Sequence, residues 1–392
     1  MGSDIVIVGG GCTGTSIAYH LAALGAGTVT LLERKTLGSG TTAQSSGIVR
    51  QHYSDPTLAR MAQRSLRVFE HFDQMVGGEV GFRRTGLLIG AREEDLAGLR
   101  ASVAMQQELG IDTRMIGHDD LRALEPRMSC DDLVAACYEP EAGYTDPAAV
   151  TMAYAQRARA LGATIRQGAM VTALLVDGAR IRGVELADGT RIGAGTVIVA
   201  SNIWGVPLLR AAGLDMPIHA TRHPCILLQQ PPAFGPQHMI LFDFTNGLYL
   251  KPEGADLTLA GMLEEAEDER IADPDHIAMR PSHAEAEALA TRTAQRFPIL
   301  ADATLQAGWA GLYDVSADWQ PAIGPAPGLD GLYCAIGFSG HGFKLCPMVG
   351  EIVAAMALGQ PVPDDLDVDL FRVDRFTAGH LARSRYAYRI IG

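Results

Sequence analysis

The feature that most restricts this chain is its opening segment. Asp4-Ile5-Val6-Ile7-Val8, a β-branched apolar run of the kind that forms a buried parallel strand, enters Gly9-Gly10-Gly11-Cys12-Thr13-Gly14 without a break. Ser16 to Leu24 reads as a helix with Gly25 near its end, and Thr28-Val29-Thr30-Leu31-Leu32 is a second strand closed by Glu33. A strand, a G-x-G-x-x-G turn, a helix and a strand ending in an acid form the pattern of a dinucleotide site. Gly9 allows the tight turn. Gly11 lets the main chain reach a pyrophosphate at the positive end of the helix. Gly14 lets helix and strand pack closely, and Glu33 can accept hydrogen bonds from a ribose diol. This opening implies a doubly wound α/β domain that binds either FAD or NAD.

Three features favour FAD. The motif opens the chain. The segment from Gly38 to Gly47 is rich in small hydroxyl residues (Ser39, Thr41, Thr42, Ser45, Ser46), which suits a loop wrapped along a long cofactor. A late glycine-rich strand-to-helix turn, Gly337-Phe338-Ser339-Gly340-His341-Gly342-Phe343-Lys344, offers main-chain N–H groups and a helix N-terminus to an electron-rich ring edge. A lysine in the first turn of a helix is electrostatically unfavourable by itself, so Lys344 points to an anionic partner. Cys12, Thr13, Arg34, Val171, Ala200, Trp204 and Gly311 complete the candidate cofactor contacts.

At 392 residues the chain is too long for one core, and 47% apolar residues exclude a disordered polymer. Helices are expected over 57–75, 93–109, about 147–161, 283–297 and 345–358. Strands are expected over 82–90, 163–166, 171–176, 181–186 and 196–200, then in succession over 218–229, 239–244, 248–251, 257–260 and 305–313. In the first group, 196–200 reads as a buried parallel strand at which the nucleotide domain resumes, and the second group reads as an antiparallel layer. The expected organisation is a discontinuous FAD domain (1–80, 144–217 and 318–392) roofed by an antiparallel-sheet substrate domain (81–143 and 218–317). The acidic stretch 261–276 reads as a solvated loop or helix face. The tail from Asp364 clasps either its own domain or a partner subunit.

The formal charge of −13 argues against nucleic acid and anionic membrane surfaces as partners. No stretch is long and apolar enough for a membrane span, and the N-terminus does not read as a secretory signal. Six scattered cysteines without a C-x-x-C pair suggest no metal site. Reduced thiols and a cytoplasmic location are the expectation. The histidines lack metal-ligand spacing and most read as surface or satisfied residues, apart from His52, close to Arg50, and His341, inside the late glycine turn.

The N-terminal glycine unit, the GFSGHGFK string and the order of elements resemble the D-amino-acid-oxidase superfamily of FAD enzymes, and within it the sarcosine oxidase branch. The resemblance covers nearly the whole chain. It implies oxidation of a C–N bond of an amino acid or N-methyl amino acid by hydride transfer to flavin N5, with oxygen or another electron acceptor. It implies that Arg50, in Gly47-Ile48-Val49-Arg50, and Lys344 hold the substrate carboxylate, and that Tyr249 and Tyr313 flank the substrate. Covalent members carry a flavin-linking cysteine two residues before the second tyrosine. That position is Gly311 here, and residues 38–47 contain no histidine, so FAD is expected to be non-covalent. Alignment with the branch puts Thr258 where its oxidases have an oxygen-activating lysine and Met262 at a nearby family histidine, which leaves oxidase and dehydrogenase both open. A 2-hydroxy-acid dehydrogenase, or a flavin subunit of a larger complex, stands as the alternative.

Overall fold

The computed structural model describes residues 2–263 and 270–382. Its first sheet is built around the opening strand, Gly2–Val8, which pairs in parallel with Val29–Leu32 on one side and Arg191–Val199 on the other. Thr164–Arg166 and Leu332–Ile336 extend the parallel array at its two ends. The hairpin of Val171–Asp177 and Arg180–Leu186 and the strand Ala322–Pro325 add antiparallel pairs, giving eight strands. Val6, Ile7, Val197 and Ile198 are fully buried, as the unbroken apolar runs of a two-side-covered parallel sheet require. The helices Cys12–Ala23 and Gly342–Ala357 pack against each other on one face, with Pro56–Glu70 beside them. The fold is therefore the mixed α/β one expected.

The second sheet also has eight strands, in the order Thr304–Ser316, Ile218–Gln229, Leu257–Met262, Leu248–Glu253, Ile240–Asp243, Leu87–Ala91, Ala135–Glu139 and Arg114–Ile116. All its pairings are antiparallel except that of Ile240–Asp243 with Leu87–Ala91. Two long helices pack on it, Leu96–Glu108 and His283–Arg296, and the second starts at a capping box between Ser282 and Glu285. The helix His283–Arg296 ends in Arg296, fully buried and bound through two hydrogen bonds each to Asp243 and Asp132. A third, small sheet joins Ile48–Val49, Gly143–Tyr144 and Arg83–Arg84.

The structure divides two elements that the sequence suggested were continuous. The 57–75 helix breaks at His71 into Pro56–Glu70 and Phe72–Met75. The 82–90 strand breaks at Gly86, whose φ of 74° turns the chain from the small sheet into the large one. Arg114–Ile116, Ala135–Glu139 and the helix His118–Leu124 have no counterpart in the sequence reading. Residues 264–269 of the acidic stretch, and 383–392 of the tail, lie outside the described residues. In the described part of the tail, Arg375 is buried and makes two hydrogen bonds to Asp318, so this part packs on its own fold.

Candidate active site

A cavity of about 940 Å³ runs between the first sheet and the second, at the upper end of the range for small-molecule sites. The glycine turn forms one end. A Cβ on Gly14 would lie 2.0 Å from the Gly9 carbonyl oxygen, and one on Gly9 would lie 2.5 Å from that of Ala200. Only glycine permits this contact of turn, helix and neighbouring strand. The helix Cys12–Ala23 begins with no acidic residue in its first turn, and although Thr42 Oγ1 accepts the Cys12 N–H at 3.2 Å, the positive end of the helix lies on the cavity wall. Farther along, the Arg34 guanidinium lies 4.4 Å from the centre of the Trp204 ring and pairs with Asp275 at 2.6 Å. A positive helix N-terminus, a glycine cradle and a planar arginine–tryptophan pair on the cavity wall fit the pyrophosphate and ring system of a dinucleotide.

The cavity wall includes Gly9, Gly11, Cys12, Thr13, Glu33, Arg34, Ser39, Thr41, Thr42, Ser45, Ser46, Val171, Ala200, Trp204, Gly311, Gly340, Gly342, Phe343 and Lys344 among the expected cofactor contacts, and Arg50, Tyr249 and Tyr313 among the expected substrate contacts. Five expected residues are not on it. Gly14 lies behind the turn against Gly9. Gly47, at φ 70°, abuts the Thr145 carbonyl, and Gly337 abuts Ile218. His341 turns toward the Tyr53 hydroxyl, 3.3 Å away. His52 lies among Gln106 and Cys137, with Nδ1 at 3.1 Å from Gln106 Nε2 and 3.8 Å from the sulfur. Burial pushes its pKa down to about 3, helped by Arg50, so it stays neutral.

At the far end, two cations meet. Arg50 is 2% exposed and Lys344 is 8% exposed. Arg50 donates to the His52 carbonyl and lies 4.5 Å from the Tyr53 ring centre and 5.5 Å from that of Phe242. Lys344 Nζ reaches the Gly340 carbonyl at 3.4 Å. Burial lowers both pKa values, and Arg50 lowers that of Lys344 further by repulsion. Glu139, fully buried, is the nearby carboxylate. Its Oε1 accepts from Gln51 N at 2.7 Å, and burial raises its pKa to about 7 against the pull of that bond and of Arg50.

Tyr313 stacks on His223 with ring centres 3.9 Å apart. Tyr249 lies over Gly261, its partner across the hairpin, where a Cβ would meet the ring at 2.3 Å. Its hydroxyl is 3.3 Å from Cys225 Sγ. Burial raises the pKa of both tyrosines and lowers that of His223 to about 4, so all three are neutral near pH 7.

His223 is an exception among the remaining histidines that was not singled out: it is 4% exposed, lines the cavity, and leaves Nδ1 without a partner. It arrives there by standing directly opposite Gly311 in the paired strands. Cys225, Phe242, Leu263 and Gln44 also line the cavity without having been singled out. Thr258 and Met262 are corrected the other way. Thr258 Oγ1 bonds Gln230 at 2.9 Å and His238 at 3.0 Å, and Met262 packs with the core on that same side of the sheet. Strand alternation turns both away from Tyr249 and Cys225, on whose side Leu259 packs.

Residues 4–356 match the DAO model, described as FAD dependent oxidoreductase. The chain belongs to this family. Among curated relatives of this DAO-family chain, 4-methylaminobutanoate oxidase (formaldehyde-forming) of Paenarthrobacter nicotinovorans is 30% identical over 97% of the chain and 46% of the relative. Sarcosine dehydrogenase of Homo sapiens is 27% identical, covering 96% of the chain and 42% of the relative. The chain spans about half the length of these relatives. Sarcosine oxidase subunit beta of Arthrobacter sp is matched over 92% of its length, at 28% identity and 96% of the chain. Among solved structures, L-proline dehydrogenase from P. horikoshii superposes with a TM-score of 0.89 at 28% identity, over 97% of this chain and 99% of that one. No described helix is long and apolar enough to cross a membrane.

Proposed function

We propose that this DAO-family chain oxidises the C–N bond of a small carboxylate-bearing amine, an amino acid or N-methyl amino acid, with FAD held non-covalently. The observation that carries the reading is the pair of buried cations, Arg50 and Lys344, on the same cavity into which the glycine cradle opens. Two buried positive side chains on one cavity wall draw an anion to it, and a carboxylate is the anion their fork and point charge suit. Relatives named for sarcosine and for methylaminobutanoate support an N-methylated amine as the donor.

The residues that would hold FAD are those of the glycine turn, Glu33 and Arg34, the 39–46 loop, Trp204 and the start of the Gly342–Ala357 helix. Bound there, FAD supplies the hydride acceptor. Arg50 and Lys344 hold the carboxylate and fix the donor carbon's orientation. Neutral Tyr249, Tyr313 and His223 form walls that add no charge beside the amine, so the amine binds as the free base with its lone pair available. No strong side-chain base is needed, because alignment of the donor C–H supplies much of the rate. The imine product hydrolyses in water.

Gly311 offers no side chain to link a flavin, and its Cα faces the Gln44 main chain. We divide the chain into an FAD domain of 1–80, 144–217 and 318–392 and a substrate domain of 81–143 and 218–317. Six buried free cysteines support a cytoplasmic protein, and the match to a subunit of sarcosine oxidase supports association with further subunits.

The test is anaerobic bleaching of the flavin by sarcosine, N,N-dimethylglycine, 4-methylaminobutanoate, L-proline, glycine and small 2-hydroxy acids. Bleaching by one of the amines is expected. Bleaching by hydroxy acids alone overturns the amine reading. Air reoxidation afterwards separates oxidase from dehydrogenase, and flavin retained in an acid precipitate would refute non-covalent attachment.

A further inference from the structure

Strand Thr304–Ser316 turns Tyr313 toward its stacking partner His223 and the next residue, Asp314, toward the late glycine turn. Asp314 is 2% exposed. Its Oδ2 accepts from Gly337 N at 2.6 Å, and its main-chain carbonyl accepts from Ser339 N at 3.2 Å. Burial raises its pKa to about 6, while the N–H groups of Phe338 and Gly337 pull it back down. The charge of this carboxylate is thus met by peptide N–H groups of the turn.

The turn so held needs holding. Gly337, Ser339 and Gly340 all have positive φ, at 73°, 49° and 84°, and Ser339 is not a glycine. Residues in such conformations persist only where the surroundings fix them. The far side of the turn is the cavity wall. Gly340 presses on Tyr313 so closely that a Cβ would lie 2.5 Å from the ring, and its carbonyl receives Lys344 Nζ. The Gly342–Ala357 helix, with its free N-terminus, starts immediately after.

We propose that Asp314 is a positioning residue that locks the 337–340 turn in the shape that seats the flavin end of the cofactor. The proposal rests on the reading that FAD occupies this cavity, and its test separates the two. Apoprotein of the full chain is titrated with FAD, following flavin fluorescence, for wild type, Asp314→Ala and Asp314→Asn. The wild type is expected to bind FAD; failure to do so would sink the cofactor reading itself. Asp314→Ala removes the charge-assisted bond to Gly337 N and is expected to weaken FAD binding about 10- to 100-fold, with an unchanged far-ultraviolet circular dichroism spectrum. FAD affinity within threefold of wild type overturns the proposal. If Asp314→Ala does not fold, Asp314→Asn decides. It keeps an acceptor oxygen for Gly337 N but removes a buried negative charge beside the flavin seat, so the reduction potential of bound FAD is expected to rise. A potential and visible spectrum identical to wild type overturn the proposal.

Discussion

Lys344→Met is the perturbation that best separates a substrate clamp from an ordinary structural lysine. The side chain is 8% exposed, sits in the first turn of a helix, and is repelled by Arg50. Each of these disfavours the ammonium in the empty protein. Methionine fills nearly the same volume without charge, and replacement of buried ions by apolar groups is commonly neutral or stabilising by 1–4 kcal/mol. The apoprotein is therefore expected to gain about 1 kcal/mol in urea unfolding. Substrate binding is expected to move the other way. A hydrogen bond to a charged group contributes about 1.5–3 kcal/mol, so KM for the amine that bleaches the flavin rises about 10- to 100-fold. The assay is a urea titration of the apoprotein beside steady-state kinetics of the FAD-loaded enzyme. A variant that is less stable and has an unchanged KM would show that Lys344 serves packing, and the clamp argument would be wrong.

Gly14→Ala forces a methyl group to 2.0 Å from the Gly9 carbonyl; unfolding free energy should fall by about 1–3 kcal/mol and FAD uptake by gel filtration should drop, and normal uptake would contradict the cradle. Glu139 titrates near 7 in the fold against an ordinary 4.5, so the stability it contributes is present below about pH 4.5 and is lost as pH rises toward 7, by about 3 kcal/mol. Glu139→Gln should therefore be stabilising relative to wild type at pH 8 but not at pH 4.5 in urea unfolding; a difference independent of pH would discredit the buried-acid assignment. Arg296→Met leaves Asp243, fully buried, without its cation. A loss of about 3–5 kcal/mol in unfolding free energy is expected, with the visible spectrum of the bound flavin unchanged, since this cluster lies off the cavity wall; an altered spectrum would count against that separation.

The nucleotide half was readable because its signals are local. Gly9, Gly11, Gly14 and Glu33 fall within one strand–helix–strand unit, and each has a job set by its immediate neighbours. Arg50 and Lys344 came from resemblance, since nothing near Arg50 in sequence distinguishes a clamp from a surface cation. His223 was missed because its role depends on a distant strand: it stands opposite Gly311 and stacks on Tyr313, both far along the chain. The same dependence misled the alignment of Thr258 and Met262. Sequence gives the period of a strand but not which face is turned to the cavity, and alternation sends both away. Arg114–Ile116 and Ala135–Glu139 were invisible because a strand of three or five residues takes its order from its partners. The ion pair of Asp275 with Arg34 shows the same limit, because an acid in a charged stretch reads as solvated until its distant cation is known.

The position of the opening strand bears on how the chain is made. Gly2–Val8 is synthesised well before its partner strand Arg191–Val199, so one edge of it awaits that strand, and the carbonyl that closes the cradle behind Gly9 belongs to Ala200. The flavin end of the cavity is finished only by Gly340 to Lys344. The stretch from Gly2 to Lys344 must therefore be synthesised before the site is whole, and the opening strand spends that time with an unpaired apolar edge. Cofactor capture then follows the folding of this whole stretch, and flavin supply should govern the fate of the assembled fold rather than guide the folding of its first strands.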